Sequence, residues 1–122
     1  MRAADAVEKI SKNRPEYLSS HKTEIIQFLK IAENKEFKWH LAQLVTRLHL
    51  SSKELKTVWN KLAAWTTDKK ESKIVRVNSV QALFELSKKF KDLKPDFSSI
   101  VQEVERENIS SLNARIRKLT SE

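Results

Sequence analysis

Residues 74–90, IVRVNSVQALFELSKKF, decide the fold of this chain. An α-helix over this stretch, at about 100° per residue, gathers its apolar and small side chains on one arc. The arc covers well over half of the circumference and consists of Val75, Val77, Ser79, Val80, Ala82, Leu83, Phe84, Leu86 and Phe90. The remaining strip is polar and consists of Asn78, Gln81, Glu85, Lys88 and Lys89. The pattern therefore predicts a helix covered on two sides by other elements, as in the middle of a stack.

Composition restricts the fold class. The 122 residues include no glycine and two prolines, and 39% are hydrophobic while 33% are charged. The tight turns of β-sandwiches, barrels and nucleotide-binding α/β domains need the positive φ angles that glycine supplies. Helices can instead end on Asn. We therefore expect an all-α fold, in one domain spanning residues 1–122, and a high surface-to-core ratio consistent with an elongated stack.

Net charge and cysteine content limit the classes of partner and the cellular compartment that we expect. The formal net charge is +8 and the pI is about 9.8, which favours acidic partners or nucleic acid. Solvated lysine-rich faces without a specific site explain the same numbers. Disulfides are excluded because there is no cysteine, and no long apolar run indicates a secretory signal or a membrane span. We expect a cytoplasmic protein that acts as a monomer, without membrane association.

The apolar periodicity predicts seven helices. Proline and asparagine mark several of the breaks, and Ser51 or Ser52 is expected to cap the fourth helix with Glu54 in its first turn. Pro95 and Asp96 open the sixth, and Asn108 ends it. The other predicted helices cover residues 2–12, 20–32, 36–50, 74–90 and 109–119, and the fourth carries an apolar stripe from Leu55 to Trp65.

An internal repeat connects alternate helices. The pattern Ala6-Val7-x-x-Ile10 recurs as Leu44-Val45-x-x-Leu48 and as Ala82-Leu83-x-x-Leu86, at a constant spacing of 38 residues. A period near 40 residues that contains two helices is typical of α-solenoids. We expect a right-handed α-solenoid of about three helical hairpins plus a C-terminal helix. The repeats would cover about residues 2–34, 36–68 and 73–107, with a partial repeat at 109–121.

The repeat unit resembles a HEAT repeat, and the chain is similar to small HEAT-repeat proteins of bacterial type. The resemblance is carried by Ile74-Val75-Arg76, Ala82-Leu83 and Leu86, preceded by Asp68, and more weakly by residues 37–42, FKWHLA. Lys38 and Asn113 occupy the position of the arginine in the neighbouring repeats. The resemblance implies a scaffold that binds proteins along the face formed by the second helices; some members of the family bind or repair DNA.

Arg76 lies within the apolar arc of its helix, where an unpaired guanidinium group is costly. We expect it to pair with Asp68 or with a backbone carbonyl of the adjacent turn, and so to tie one repeat to the next. The alternative is that its long side chain reaches water from the first helical turn.

A basic strip is the candidate partner-binding surface. It lies on the outward arcs of the second and fourth predicted helices and consists of Lys22, Lys30, Lys53, Lys56, Asn60 and Lys61. The sixth helix is net acidic, because Glu103, Glu105 and Glu107 outnumber Arg106. A surface that reverses its sign within three repeats favours a protein partner with an acidic surface. Binding to a DNA or RNA backbone through the same strip is the alternative, and it would weaken steeply as salt rises.

Catalysis has little support in the sequence. There is no glycine for a phosphate-binding loop and no cysteine nucleophile, and His21, His40 and His49 lack the spacing of a helical metal site. We therefore expect no enzymatic activity, no metal and no cofactor. The three tryptophans fall on apolar arcs and are expected in the core, with Trp65 as the most exposed of them.

Overall fold

The structure is a computed structural model that describes residues 21–121. This part of the chain is all-helical and contains no strand, which confirms the predicted fold class. The predicted helix over residues 2–12, and with it the first helix of the first repeat, lies outside the described residues. The six α-helices are α1 (Lys22–Ile31), α2 (Lys35–Val45), α3 (Ser52–Thr67), α4 (Lys73–Lys89), α5 (Lys94–Glu105) and α6 (Ser110–Thr120), with a 3-10 turn at Lys91–Leu93.

Side-chain caps explain where several helices begin and end. Ser51 and Glu54 form a reciprocal capping box at the start of α3: the Ser51 hydroxyl accepts the Glu54 N–H at 3.2 Å, and Glu54 accepts the Ser51 N–H at 2.8 Å. Asn34 caps α2 and Ser72 caps α4 through a side chain that accepts backbone N–H groups of the first helical turn, without a reciprocal hydrogen bond. After α5 the chain turns at Asn108, whose φ of 55° lies in the left-handed region that Asn tolerates.

One helix is shorter than the sequence pattern predicts. The helix expected over residues 36–50 ends at Val45. The Lys89 ammonium group of α4 donates to the carbonyl of Thr46. In a continuing α-helix this carbonyl would instead accept the backbone N–H four residues later. The chain then leaves the helix and brings Leu48 into the core, where it is 5% exposed.

Helix α4 occupies the centre of the packing. It contacts α2, α3, α5 and α6, so it is covered on more than one side, as the wide apolar arc predicted. Its fully buried apolar side chains are Val75, Val80, Ala82, Leu83 and Leu86. They belong to one continuous hydrophobic cluster that extends from Ile25 of α1 to Ile116 of α6.

The helices pack in two series along the chain. In one series α2 packs against α4 and α4 against α6; in the other α1 packs against α3 and α3 against α5. The two series are joined mainly by the contact between α3 and α4. No helix within residues 21–121 is long and apolar enough to cross a bilayer.

The tryptophans differ in one respect from expectation. Trp59 and Trp65 are 7% and 4% exposed, so the prediction that Trp65 is the most exposed of the three was wrong. Trp39 is half-buried instead. Trp65 is covered by the ammonium groups of Lys38 and Lys61, which lie 5.6 and 5.7 Å from its ring centroid.

Candidate functional site

The main surface concavity formed by predicted site residues lies between α1 and α3. The two helices run in the same direction, because Lys22 at the start of α1 contacts Glu54 at the start of α3, while Lys30 lies beside Asn60 and Lys61 further along. Ile25, Leu29, Val58 and Leu62 are buried in the core below. The polar residues of both helices are therefore left along the outer side of the contact.

We call this concavity the α1–α3 groove. It comprises two adjoining depressions of about 180 and 390 Å³ that share Lys30 and Thr57. Its lining residues are Thr23, Ile26, Gln27 and Lys30 from α1, and Lys53, Glu54, Thr57, Asn60, Lys61 and Ala64 from α3. The groove thus follows about three turns of α3.

Four of the six residues of the predicted basic strip line the groove: Lys30, Lys53, Asn60 and Lys61. Lys56 is exposed on α3 and does not line it. Lys22 has a different place. Its ammonium group lies 2.9 Å from Glu54 Oε1 and donates to the His49 carbonyl at 3.0 Å, so it ties α1 to the start of α3.

The electrostatic balance of the groove is positive. Lys30, Lys53 and Lys61 form no ion pair within residues 21–121. Glu54 is the acidic lining residue, and its negative charge is already engaged: the Ser51 backbone N–H and then the Lys22 ammonium group hold its pKa below the usual value. Three cations without an ion-pair partner, of which Lys61 also lies over the Trp65 ring, therefore face one compensated carboxylate.

Helix α5 and the residues that follow it expose less negative charge than the sequence predicted. Glu103 and Glu105 are exposed on this helix, which packs beside α3. Glu107 does not contribute to this surface, because its carboxylate faces inward and binds Arg76. Because Arg106 is exposed beside Glu103 and Glu105, the end of α5 keeps a net charge of one negative unit among these three residues.

Arg76 forms a structural cluster rather than part of a binding site. It is 2% exposed, and its Nε donates to the Thr66 carbonyl at 2.9 Å. Its Nη1 and Nη2 donate to the two oxygens of Glu107 at 3.1 and 2.5 Å, in a bidentate pair. Asp68, the carboxylate that the sequence suggested, instead accepts the Lys70 N–H. Arg76 lowers the pKa of Glu107, mainly through these hydrogen bonds.

A second ion pair repeats this arrangement. Lys38 precedes Arg76 by the 38-residue period, and its ammonium group lies 2.6 Å from Glu71. Glu71 and Glu107 both lie in the connection that precedes the next helix of the series α2, α4, α6. The third equivalent position is Asn113, whose buried Oδ1 has no hydrogen-bond partner in the part of the chain that the structure describes. Neither Glu71 nor Glu107 was predicted as a partner of these bases, although the common period of Lys38 and Arg76 is visible in the sequence.

The histidines take local roles. His21 Nδ1 lies 3.5 Å from Glu24, His40 stacks on Trp39 at 3.8 Å between ring centroids, and the His49 carbonyl accepts from Lys22. Among residues 21–121 no group of three or more His, Asp or Glu side chains is arranged to hold a metal ion.

The groove, its unpaired lysines and the two interhelical ion pairs are the features from which a function can be inferred. Comparisons of the chain with protein-family models, with curated proteins and with solved structures find no match.

Proposed function

We propose that this protein is a non-catalytic interaction module that binds an acidic segment of a protein partner in the α1–α3 groove. The observation that carries the proposal is the convergence of Lys30, Lys53 and Lys61 on one concavity without an ion-pair partner in the described residues. Like charges gathered in a concave surface repel one another, and an anionic ligand relieves that repulsion. The neighbouring Asn60 adds a hydrogen-bonding group to the same wall.

We further propose that the helices form a right-handed α-solenoid of HEAT-like hairpins. The support is twofold. Alternate helices pack in chain order in two series, as stacked hairpins require. The pairs Lys38–Glu71 and Arg76–Glu107 occupy equivalent positions one period apart, as copies of one unit would. In this arrangement α1, α3 and α5 are the second helices of the repeats, and their common face is the binding face.

A nucleic-acid backbone is the alternative ligand, and the clustered lysines favour it. The exposed Glu103 and Glu105 of α5 oppose it, because α5 lies directly beside α3. A duplex presents negative charge along its whole length, so it would be attracted at the groove and repelled at the next helix. A protein partner can match both signs.

Fluorescence anisotropy with two probes tests the proposal. The probes are a labelled 12-residue glutamate-rich peptide and a labelled 20-base-pair duplex, each titrated at low and at physiological salt. We expect peptide binding that the double variant Lys30→Glu/Lys61→Glu weakens at least about tenfold, at roughly 1 kcal/mol per charged contact. The single variants Lys61→Glu and Lys56→Glu are the matched comparison, because each reverses one charge on α3 and only Lys61 lines the groove. Lys61→Glu should weaken binding about fivefold, at roughly 1 kcal/mol, and Lys56→Glu less than about threefold.

Two outcomes would overturn the proposal. Duplex binding that falls steeply with salt, combined with no peptide binding, would assign the groove to nucleic acid instead. Equal losses in Lys56→Glu and in Lys61→Glu, which change the net charge by the same amount, would show that only the overall charge of the protein matters. Circular dichroism of every variant verifies that the helices are retained.

A further inference from the structure

We propose that the α1–α3 groove selects an extended acidic segment, with two carboxylates four residues apart, over a helical one. The inference rests on the proposed function and specifies the conformation and spacing of the ligand. It depends on three features of the groove: the distance between its lysines, the free carboxamides on its two walls, and the position of Lys30 on the opposite wall.

The spacing of the lysines on α3 suits an extended chain. Lys53 and Lys61 are eight residues apart on one helix, which corresponds to about 12 Å along its axis. An extended chain rises about 3.3 Å per residue, so residues i and i+4 are about 13 Å apart and point to the same side. A helical ligand would need acidic residues about eight positions apart to span the same distance.

The carboxamides provide partners for a peptide backbone. Gln27 lies on the α1 wall and Asn60 on the α3 wall; both are exposed, and neither side chain makes a hydrogen bond within residues 21–121. A carboxamide offers both a donor and an acceptor, as does a peptide group. An extended segment has free N–H and C=O groups to pair with them, whereas a helix uses its own internally.

The groove has a wall on each side, and successive side chains of an extended ligand would point to these two walls in turn. Lys30 takes part in both depressions, opposite Thr57 in the middle of the groove. When residues i and i+4 face α3, residues i+1 and i+3 face α1. A third acidic residue at either position would therefore meet Lys30.

Glu54 makes the two ends of the groove unequal. Its carboxylate lines the Lys53 end, and although Lys22 offsets most of its charge, the carboxylate oxygens still repel an anion there. The Lys61 end has no acidic lining residue. Lys61→Ala should therefore weaken binding more than Lys53→Ala does.

Three labelled 12-residue peptides with the same net charge test the inference by fluorescence anisotropy at low salt. One carries two glutamates four residues apart in a Ser/Thr/Pro sequence that does not form a helix. The second carries the two glutamates side by side in the same sequence. The third carries them eight residues apart on a lactam-stapled helix, where they are about 12 Å apart along the axis, so that it differs from the first in conformation and not in the span of its charges.

We expect the first peptide to bind at least about fivefold more tightly than the other two. Gln27→Ala and Asn60→Ala should each weaken it about threefold to fivefold, the value of one hydrogen bond. Lys56→Ala, outside the groove, should leave it unchanged. Alanine is a good helix former, so these exposed positions should keep their helices.

The outcomes separate this inference from the proposed function. If all three peptides bind equally and Lys61→Ala still weakens them, the groove binds acidic segments without selecting an extended form, and the inference fails alone. A stapled peptide that binds most tightly overturns it as well. If no acidic peptide binds, both the inference and the proposed function are wrong.

Discussion

Breaking the Arg76–Glu107 pair should destabilise the fold strongly, and Glu107→Gln tests this. Arg76 is 2% exposed and the Glu107 side chain is 14% exposed, so both charges are largely removed from water. Gln has nearly the same shape and retains one acceptor oxygen. The substitution therefore removes the negative charge and leaves the guanidinium group buried without compensation.

The expected loss follows from this geometry. Removing one partner of a fully buried ion pair costs about 3–5 kcal/mol. Arg76 keeps its hydrogen bond to the Thr66 carbonyl, and water can reach part of the site through the exposed fraction of residue 107. We therefore expect a loss of about 2–3 kcal/mol, a large part of the 5–15 kcal/mol typical of a domain.

Urea unfolding at pH 7, followed by circular dichroism, gives the comparison. At a slope of about 1.5 kcal/mol per M, the midpoint of Glu107→Gln should fall by about 1–2 M. Glu105→Gln is the matched control, because Glu105 is exposed two residues earlier, and it should change stability by less than about 0.5 kcal/mol. A loss in Glu107→Gln no larger than that of the control would refute the assignment of this pair as a structural tie.

Three further predictions concern the same fold. Arg76 holds the pKa of Glu107 below its usual 4.5, so the stability that this pair contributes is complete above about pH 4.5 and is lost as the pH falls through the lowered value. In urea titrations, the difference in the free energy of unfolding between wild type and Glu107→Gln should be constant from pH 6 to 8. This difference should shrink below pH 4.5. Ser51→Ala should cost about 1 kcal/mol through loss of the capping box, while Ser52→Ala, one residue into α3, costs under about 0.5 kcal/mol. Leu83→Ala should cost about 3 kcal/mol in thermal or urea unfolding, because Leu83 is 0% exposed at the centre of α4 and its removal leaves a cavity; a loss under 1 kcal/mol would contradict the central position of this helix.

Local signals predicted helix positions well. The run Ser51 to Glu54 contains the capping box in four consecutive residues, and Asn108 is a residue that tolerates the left-handed conformation it adopts. Both features depend on neighbours in the chain, so the sequence alone contains them. The end of α2 has no such local signal, and the Thr46 carbonyl that is left free there accepts from Lys89, which lies 43 residues further along.

The candidate site was predictable in composition but not in geometry. The outward arcs of two helices identified the lysines, and Lys30, Lys53 and Lys61 do line one groove. Periodicity places a residue on a face of its own helix only. It could not show that Lys22, on the same helix as Lys30, is bound by Glu54, since that contact depends on how α1 and α3 are placed side by side.

Glycine content, local caps and apolar period were enough to predict that residues 21–121 are helical, where most of their helices begin and end, and which side of each helix is buried. Tertiary structure alone decided which charges are used inside the fold. Arg76 could not be matched to Glu107, 31 residues away, from any local pattern. An ion pair depends on the distance between two side chains in space, and that distance is set only when α4, α5 and the turn at Asn108 pack together.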